Sequence, residues 1–172
     1  MKKILILLAL ISIILLYTNK RKEYVIVPNE SIRFRIIPNS NTAEDLYMKE
    51  EVKEGISDII TSLSKENINE TRTNIVNNLP LLRNKVQNVF DENNYNQNFS
   101  INYGINYFPE KTYKGVKYQS GNYESMVVSI GNASGDNYWC VLFPPLCMME
   151  AKESEKVEYK FFIKEIIDHF KS

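Results

Sequence analysis

The chain has 172 residues, 44% of them hydrophobic, and its 21 Lys and Arg are balanced by 21 Asp and Glu. That is one domain's length with enough apolar surface for a core, which excludes a mainly disordered chain. Zero net charge and two cysteines exclude a surface that tracks nucleic acid throughout, a disulfide-dense miniprotein and a four-thiolate zinc site.

Lys2 and Lys3 precede an apolar run from Ile4 to Leu16 that only Ser12 interrupts. As a helix this run spans roughly 20 Å, short of the ~30 Å hydrocarbon core, and its flanks read as the n- and h-regions of a secretory signal. Tyr17-Thr18-Asn19-Lys20 lacks a small-x-small cleavage pattern. Residues 1–19 are therefore either a signal peptide cut at an unorthodox site or an uncleaved signal anchor, and membrane contact is confined to residues 4–16. Either way the chain is exported from about residue 23. Five of the basic residues precede that point, which leaves 16 basic against 21 acidic side chains and a net charge of −5. A mildly acidic domain argues against DNA, RNA or anionic lipid as its main partner.

Residues 20–30 form a polar lead-in, and residues 31–172 a single domain. Ile32, Phe34 and Ile36 alternate with Ser31, Arg33 and Arg35, the pattern of a half-buried strand with the arginines on its solvated face. Thr42 offers a helix cap, and Met48, Val52, Ile56, Ile59, Ile60 and Leu63 recur at helical spacing, which predicts a helix over 42–63. A second helix is predicted over 69–77. Pro80 then breaks the pattern and opens a third helix to about Asp91, with Leu82, Val86, Val89 and Phe90 inward. Phe99 to Tyr107 alternates as a strand, with Gly104 marking a bulge or a close backbone approach. Short strands are predicted at 114–118 and 123–130, separated by a turn at Ser120-Gly121-Asn122. Residues 131–137 form a loop, Met149 to Glu155 is solvated, and Val157, Tyr159 and Phe161 form a strand that runs into a closing helix through Phe162, Ile163, Ile166, Ile167 and Phe170. This order gives an α+β fold with a mixed or antiparallel sheet packed by several helices.

Catalytic signatures are absent. His169 is the sole histidine, no G-x-S-x-G, H-E-x-x-H, P-loop or dinucleotide fingerprint occurs, and no cofactor is implied. Glu44-Asp45 and Glu50-Glu51 read as cap and solvated-face charges, since adjacent helix residues point apart. The strongest local signal is Gly135-Asp136-Asn137-Tyr138-Trp139-Cys140-Val141-Leu142-Phe143-Pro144-Pro145-Leu146-Cys147. Outside the cytoplasm Cys140 and Cys147 can form a structural disulfide; two buried free thiols are the alternative. The segment is either a buried corner of the core or a pre-organised docking surface with aromatic anchors.

This segment and Ile32-Arg33-Phe34-Arg35-Ile36-Ile37-Pro38-Asn39-Ser40 resemble the stage II sporulation protein R family of endospore-forming bacteria. Asp45, Lys49, Val52, Gly121-Asn122-Tyr123-Glu124 and Ile130-Gly131 match the family's pattern, whereas Tyr138, Asn41, Leu46 and Lys53 depart from it. The resemblance implies a non-enzymatic intercellular signal, exported from the forespore into the space between forespore and mother-cell membranes. There it would activate a membrane-embedded aspartic-type protease that processes a mother-cell pro-sigma factor. On that reading Trp139, Phe143, Pro144 and Pro145 dock on the protease, Cys140 and Cys147 hold the shape, and Arg33 and Arg35 are further contact candidates. A secreted carboxylate-dependent hydrolase and a passive envelope or spore-layer protein are the alternatives.

Overall fold

Strand β2 (Ile32–Ile37) runs through the centre of the fold, with Ile32, Phe34 and Ile36 fully buried on one face and Arg33 fully buried on the other. It belongs to a computed structural model that describes residues 25–113, 116–147 and 165–169. The amino-terminal segment 1–19, the solvated stretch Met149–Glu155, the strand at Val157, Tyr159 and Phe161, and the helix positions Phe162, Ile163 and Phe170 lie outside the described residues.

Chain order is β1 (Val25–Ile26), β2, α1 (Ala43–Leu63), α2 (Ile68–Glu92), β3 (Phe99–Phe108), β4 (Lys111–Tyr113), β5 (Val116–Tyr118), β6 (Gly121–Ile130) and β7 (Tyr138–Phe143). The main sheet has the order β3-β6-β2-β7. It is mixed: β2 pairs parallel to β6, while β7 joins β2 and β3 joins β6 antiparallel. A second sheet, β1-β5-β4, is mixed as well. The fold is α+β, as expected. Among the described residues no helix is long and apolar enough to cross a membrane.

Two cores result, one on each face of the main sheet. Helices α1 and α2 cover the first, where Met48, Val52, Ile56, Ile75, Leu82, Val86 and Phe90 meet Phe34, Ile36, Met126, Val128 and Ile130. Burying each such side chain contributes about 1.5–3 kcal/mol. Val27, Phe108, Tyr118, Tyr123, Val127, Trp139, Val141, Leu146 and Ile167 form the second core. The described part of the closing helix, residues 165–169, supplies Ile166 and Ile167 to it and leaves His169 exposed.

Four sequence-based expectations need correction. The lead-in is not merely polar: β1 pairs with β5 and Val27 is fully buried, so the domain extends to at least residue 25. Pro80 does not break the helix, because α2 is continuous from Ile68 to Glu92. Ile75 and Leu82 lie two turns apart across it on one buried stripe, and the carbonyl that loses its N–H partner belongs to half-exposed Val76. Gly104 makes no bulge; it pairs with Ser125 in an unbroken ladder, and an added Cβ would meet nothing closer than 3.8 Å. The irregularity falls instead in the β2–β7 pairing, between Ile32 and Arg33. Gly121 and Asn122, expected in a turn, already belong to β6. The strand expected over 114–118 is present over its described residues as β5, Val116–Tyr118, which pairs with β4.

Candidate functional site

The family-type motif after β2 builds a polar knot. Thr42 caps α1 by accepting the Asp45 N–H at 3.2 Å, as expected. Asp45 is not a solvated charge but is buried. Its carboxylate accepts the Ser40 hydroxyl at 2.5 Å, the Asn39 amide at 3.0 Å and the Tyr95 hydroxyl. These donors, Ser40 and Tyr95 foremost, hold the carboxyl down to about 2, while burial and the Asp45 charge push the Tyr95 hydroxyl up.

The same residues clasp the loop that follows β6. Asn39 accepts the Asn132 N–H through Oδ1 at 2.9 Å and the Ser134 hydroxyl through its carbonyl at 2.6 Å. Pro38 accepts the Gly135 N–H, Asn41 the Asp136 N–H, and Lys49 reaches the Asp136 carbonyl. Gly135 is required by close approach, since a Cβ there would lie 2.2 Å from the Ser40 carbonyl oxygen. The knot therefore joins the start of α1 to the loop that leads into β7.

On the opposite face of the sheet Arg33 and Arg35 enter the aromatic core. They do not sit on a solvated strand face, because the second sheet covers it. The Arg33 guanidinium lies 3.3 Å from the centroid of Tyr123 and within 6 Å of Phe108 and Tyr118. Arg35 lies 4.6 Å from Phe108 and 5.8 Å from Trp139. Arg33 Nη1 donates to the Gln119 carbonyl at 3.2 Å. No carboxylate among the described residues pairs with either arginine, and Nε of each is buried without an acceptor. Burial pulls both guanidinium groups below the ordinary arginine range, countered at Arg33 by Tyr123 and Tyr118. A planar, weakly hydrated cation tolerates such a site by stacking on ring faces.

The cysteine segment straddles the end of β7. Cys140 and Cys147 form a disulfide with Cα atoms 5.4 Å apart. The Leu146 N–H donates to the Val141 carbonyl at 3.1 Å and to the Pro144 carbonyl at 2.8 Å, which closes the bridged turn; the Phe143–Pro144 peptide is cis. Trp139, only 4% exposed, packs edge-on to Phe108 at 5.4 Å and against Tyr118 at 5.5 Å. Pro144 is buried; Phe143 and Pro145 are partly exposed. The candidate residues thus fall into two groups. Trp139, Arg33 and Arg35 come together in the second core, and Phe143 and Pro145 stand on the rim of the bridged turn. Among the described residues no cluster of three His, Cys, Asp or Glu side chains could hold a metal ion.

Residues 28–153 match the family model described as stage II sporulation protein R. The chain belongs to the stage II sporulation protein R family. It is 33% identical over 136 residues to the stage II sporulation protein R of Bacillus subtilis (strain 168), across 78% of this chain and 61% of that protein. The chain therefore spans about three fifths of that relative's length. No solved structure matches it. Membership implies a role in sporulation.

The sequence reading of this stage II sporulation protein R family member missed the aromatic layer. The signal was available in Tyr138-Trp139-Cys140-Val141-Leu142-Phe143: a continuous apolar run without alternation marks a strand buried on both faces. Residues that pair across to it on β2, Arg33 and Arg35 among them, share that burial.

Proposed function

We propose that this chain is an exported sporulation signal that activates a membrane-embedded aspartic-type protease, which in turn processes a mother-cell pro-sigma factor. Family membership carries the reading. The Cys140–Cys147 disulfide agrees with it, since such bonds persist outside the reducing cytoplasm. On this proposal residues 1–19 direct export from the forespore, and residues 4–16 provide the only membrane contact. The protein acts as a ligand and not as an enzyme.

In the docking part of the proposal, Phe143 and Pro145 touch the protease directly. Trp139, Pro144, Arg33 and Arg35 act from behind, by fixing the turn and the strand that carry them. A ligand shifts a two-state protease only by its preference for the active state, and a ~100-fold shift needs about 2.7 kcal/mol. A few well-packed aromatic and proline contacts supply that much.

The test is co-expression of this chain, the candidate protease and the precursor sigma factor in a non-sporulating bacterium. Cleavage of the precursor, read on a gel, is expected only when the chain is present and residues 2–19 are intact. Cleavage without the chain, or none with all three proteins correctly placed, refutes the reading.

A further inference from the structure

Among the described residues strand β3 is an edge of the main sheet, with β6 on one side only. The Gly131 N–H donates to the Asn98 carbonyl, which sets the parity of the ladder. Even-numbered residues of β3 bond to β6, and odd-numbered ones point their N–H and C=O outward. Arg83 confirms this parity by donating to the outward carbonyl of Ile101 at 2.8 Å.

The outward backbone groups of Tyr103, Ile105 and Tyr107 have no bond to any described residue. Phe99–Phe108 carries no charged residue and no proline, the usual guards of an edge strand. Ile105 is 71% and Tyr107 60% exposed, the two most exposed large hydrophobics of the described chain. Half-exposed Val76 lies on the same stripe of α2 as Arg72 and Arg83, which reach Glu124 of β6 and the β3 edge.

We propose that two copies of this chain pair antiparallel through β3, about a two-fold axis at Ile105, to form one continuous eight-stranded sheet. The free stretch is self-complementary. With Ile105 opposite Ile105 of the second copy, Tyr103 falls opposite Tyr107, and all outward groups of these residues find partners. The next pair outward would be Ile101 with Pro109. Arg83 already occupies the Ile101 carbonyl, and Pro109 has no N–H to give. The pairing stops at the same place on both sides of its centre. Apolar and aromatic side chains meet on the helix-covered face with no like charges opposed. A second copy fits this symmetry; an unrelated strand has no reason to share it. The dimer does not depend on the activator reading.

Sedimentation equilibrium of the full chain in density-matched mild detergent tests it. The chain is expected to be a dimer that dissociates on dilution. Ile105→Lys is expected to raise the dissociation constant roughly tenfold or more by setting two cations face to face. Its unfolding midpoint should match the parent's at a concentration low enough that the parent is also monomeric, because the side chain is exposed in the single chain. A second measurement uses a short bis-maleimide. Ile105→Cys should cross-link to a dimer, and Thr61→Cys, exposed on α1, should not. A monomer at every concentration, a dimer that Ile105→Lys leaves intact, or equal cross-linking at both positions overturns the proposal. Each of these would mean that the edge is free, covered by another partner, or irrelevant to association.

Discussion

Asp45→Asn tests whether the knot at the start of α1 is held by charge. The substitution preserves shape but replaces one carboxylate oxygen by an NH2 group. Asp45 Oδ2 receives Asn39 and Ser40, and Oδ1 receives Tyr95. Asn39 cannot flip its amide, because its Oδ1 already accepts the Asn132 N–H. The new NH2 must therefore face Tyr95, whose hydroxyl can turn to accept. Hydrogen bonds are kept in number, but their charge assistance is lost. A carboxyl held at about 2 instead of near 3.8 corresponds to about 2 kcal/mol of stabilisation at neutral pH. Charge-assisted bonds removed by mutation give a similar figure. The sign follows from the lowered value. The contribution is complete above the unfolded carboxyl range near pH 4 and fades as pH falls through about 2. Urea unfolding at pH 7 should thus place the variant about 2 kcal/mol below the parent, and the gap should narrow steadily below pH 4. A gap of equal size at pH 7 and at pH 2.5 would refute the electrostatic reasoning and leave only altered packing.

Gly135→Ala should cost about 1–3 kcal/mol, because its Cβ would meet the Ser40 carbonyl oxygen at 2.2 Å and only backbone movement relieves that contact; an unchanged urea midpoint would show that the loop is not clamped. Cys147→Ser should cost about 2.5 kcal/mol through the loop closed by the disulfide, and a reductant should lower the parent by a similar amount while leaving the variant unmoved. A parent insensitive to reductant under unfolding conditions would contradict the bridge.

How much was legible in the sequence differed by element. Alternation in Ile32–Ile36 and Phe99–Tyr107, and the helical spacing of Met48 to Leu63, led to the correct elements because in each the apolar residues recur on the face turned to the first core. Pro80 misled because a local rule was applied where tertiary burial decides: Ile75, Leu82 and Val86 hold α2 together across it. Arg33 and Arg35 misled for a related reason. Charge usually marks solvent, but here Tyr118, Tyr123, Phe108 and Trp139 provide ring faces from four different strands or strand ends. Those contacts depend on β1, β4 and β5 folding over the sheet. The segments are two or three residues long, too short for periodicity to register. The self-complementary edge was likewise invisible, because it depends on which neighbour β3 lacks.

Burial changes what a mutation in the cysteine segment can reveal. Trp139 is the natural first choice from sequence, as a lone tryptophan in a rigid aromatic stretch. In the fold it is wedged between Phe108, Tyr118 and Arg35, and truncating it would cost about 3–5 kcal/mol of packing. Loss of signalling after Trp139→Ala therefore says nothing about docking, since a collapsed second core would also misplace β7 and the turn beyond it. Phe143 and Pro145 are the informative positions. Phe143 is the last residue of β7, partly exposed and packed at the margin of the first core, and Pro145 stands partly exposed on the turn beyond it, whose shape is fixed by the disulfide and the Leu146 hydrogen bonds. Changing Pro145 removes surface without removing the scaffold, whereas Phe143 also packs on the first core, so at either position a signalling defect reports on contact with the partner only when the unfolding midpoint is unaltered.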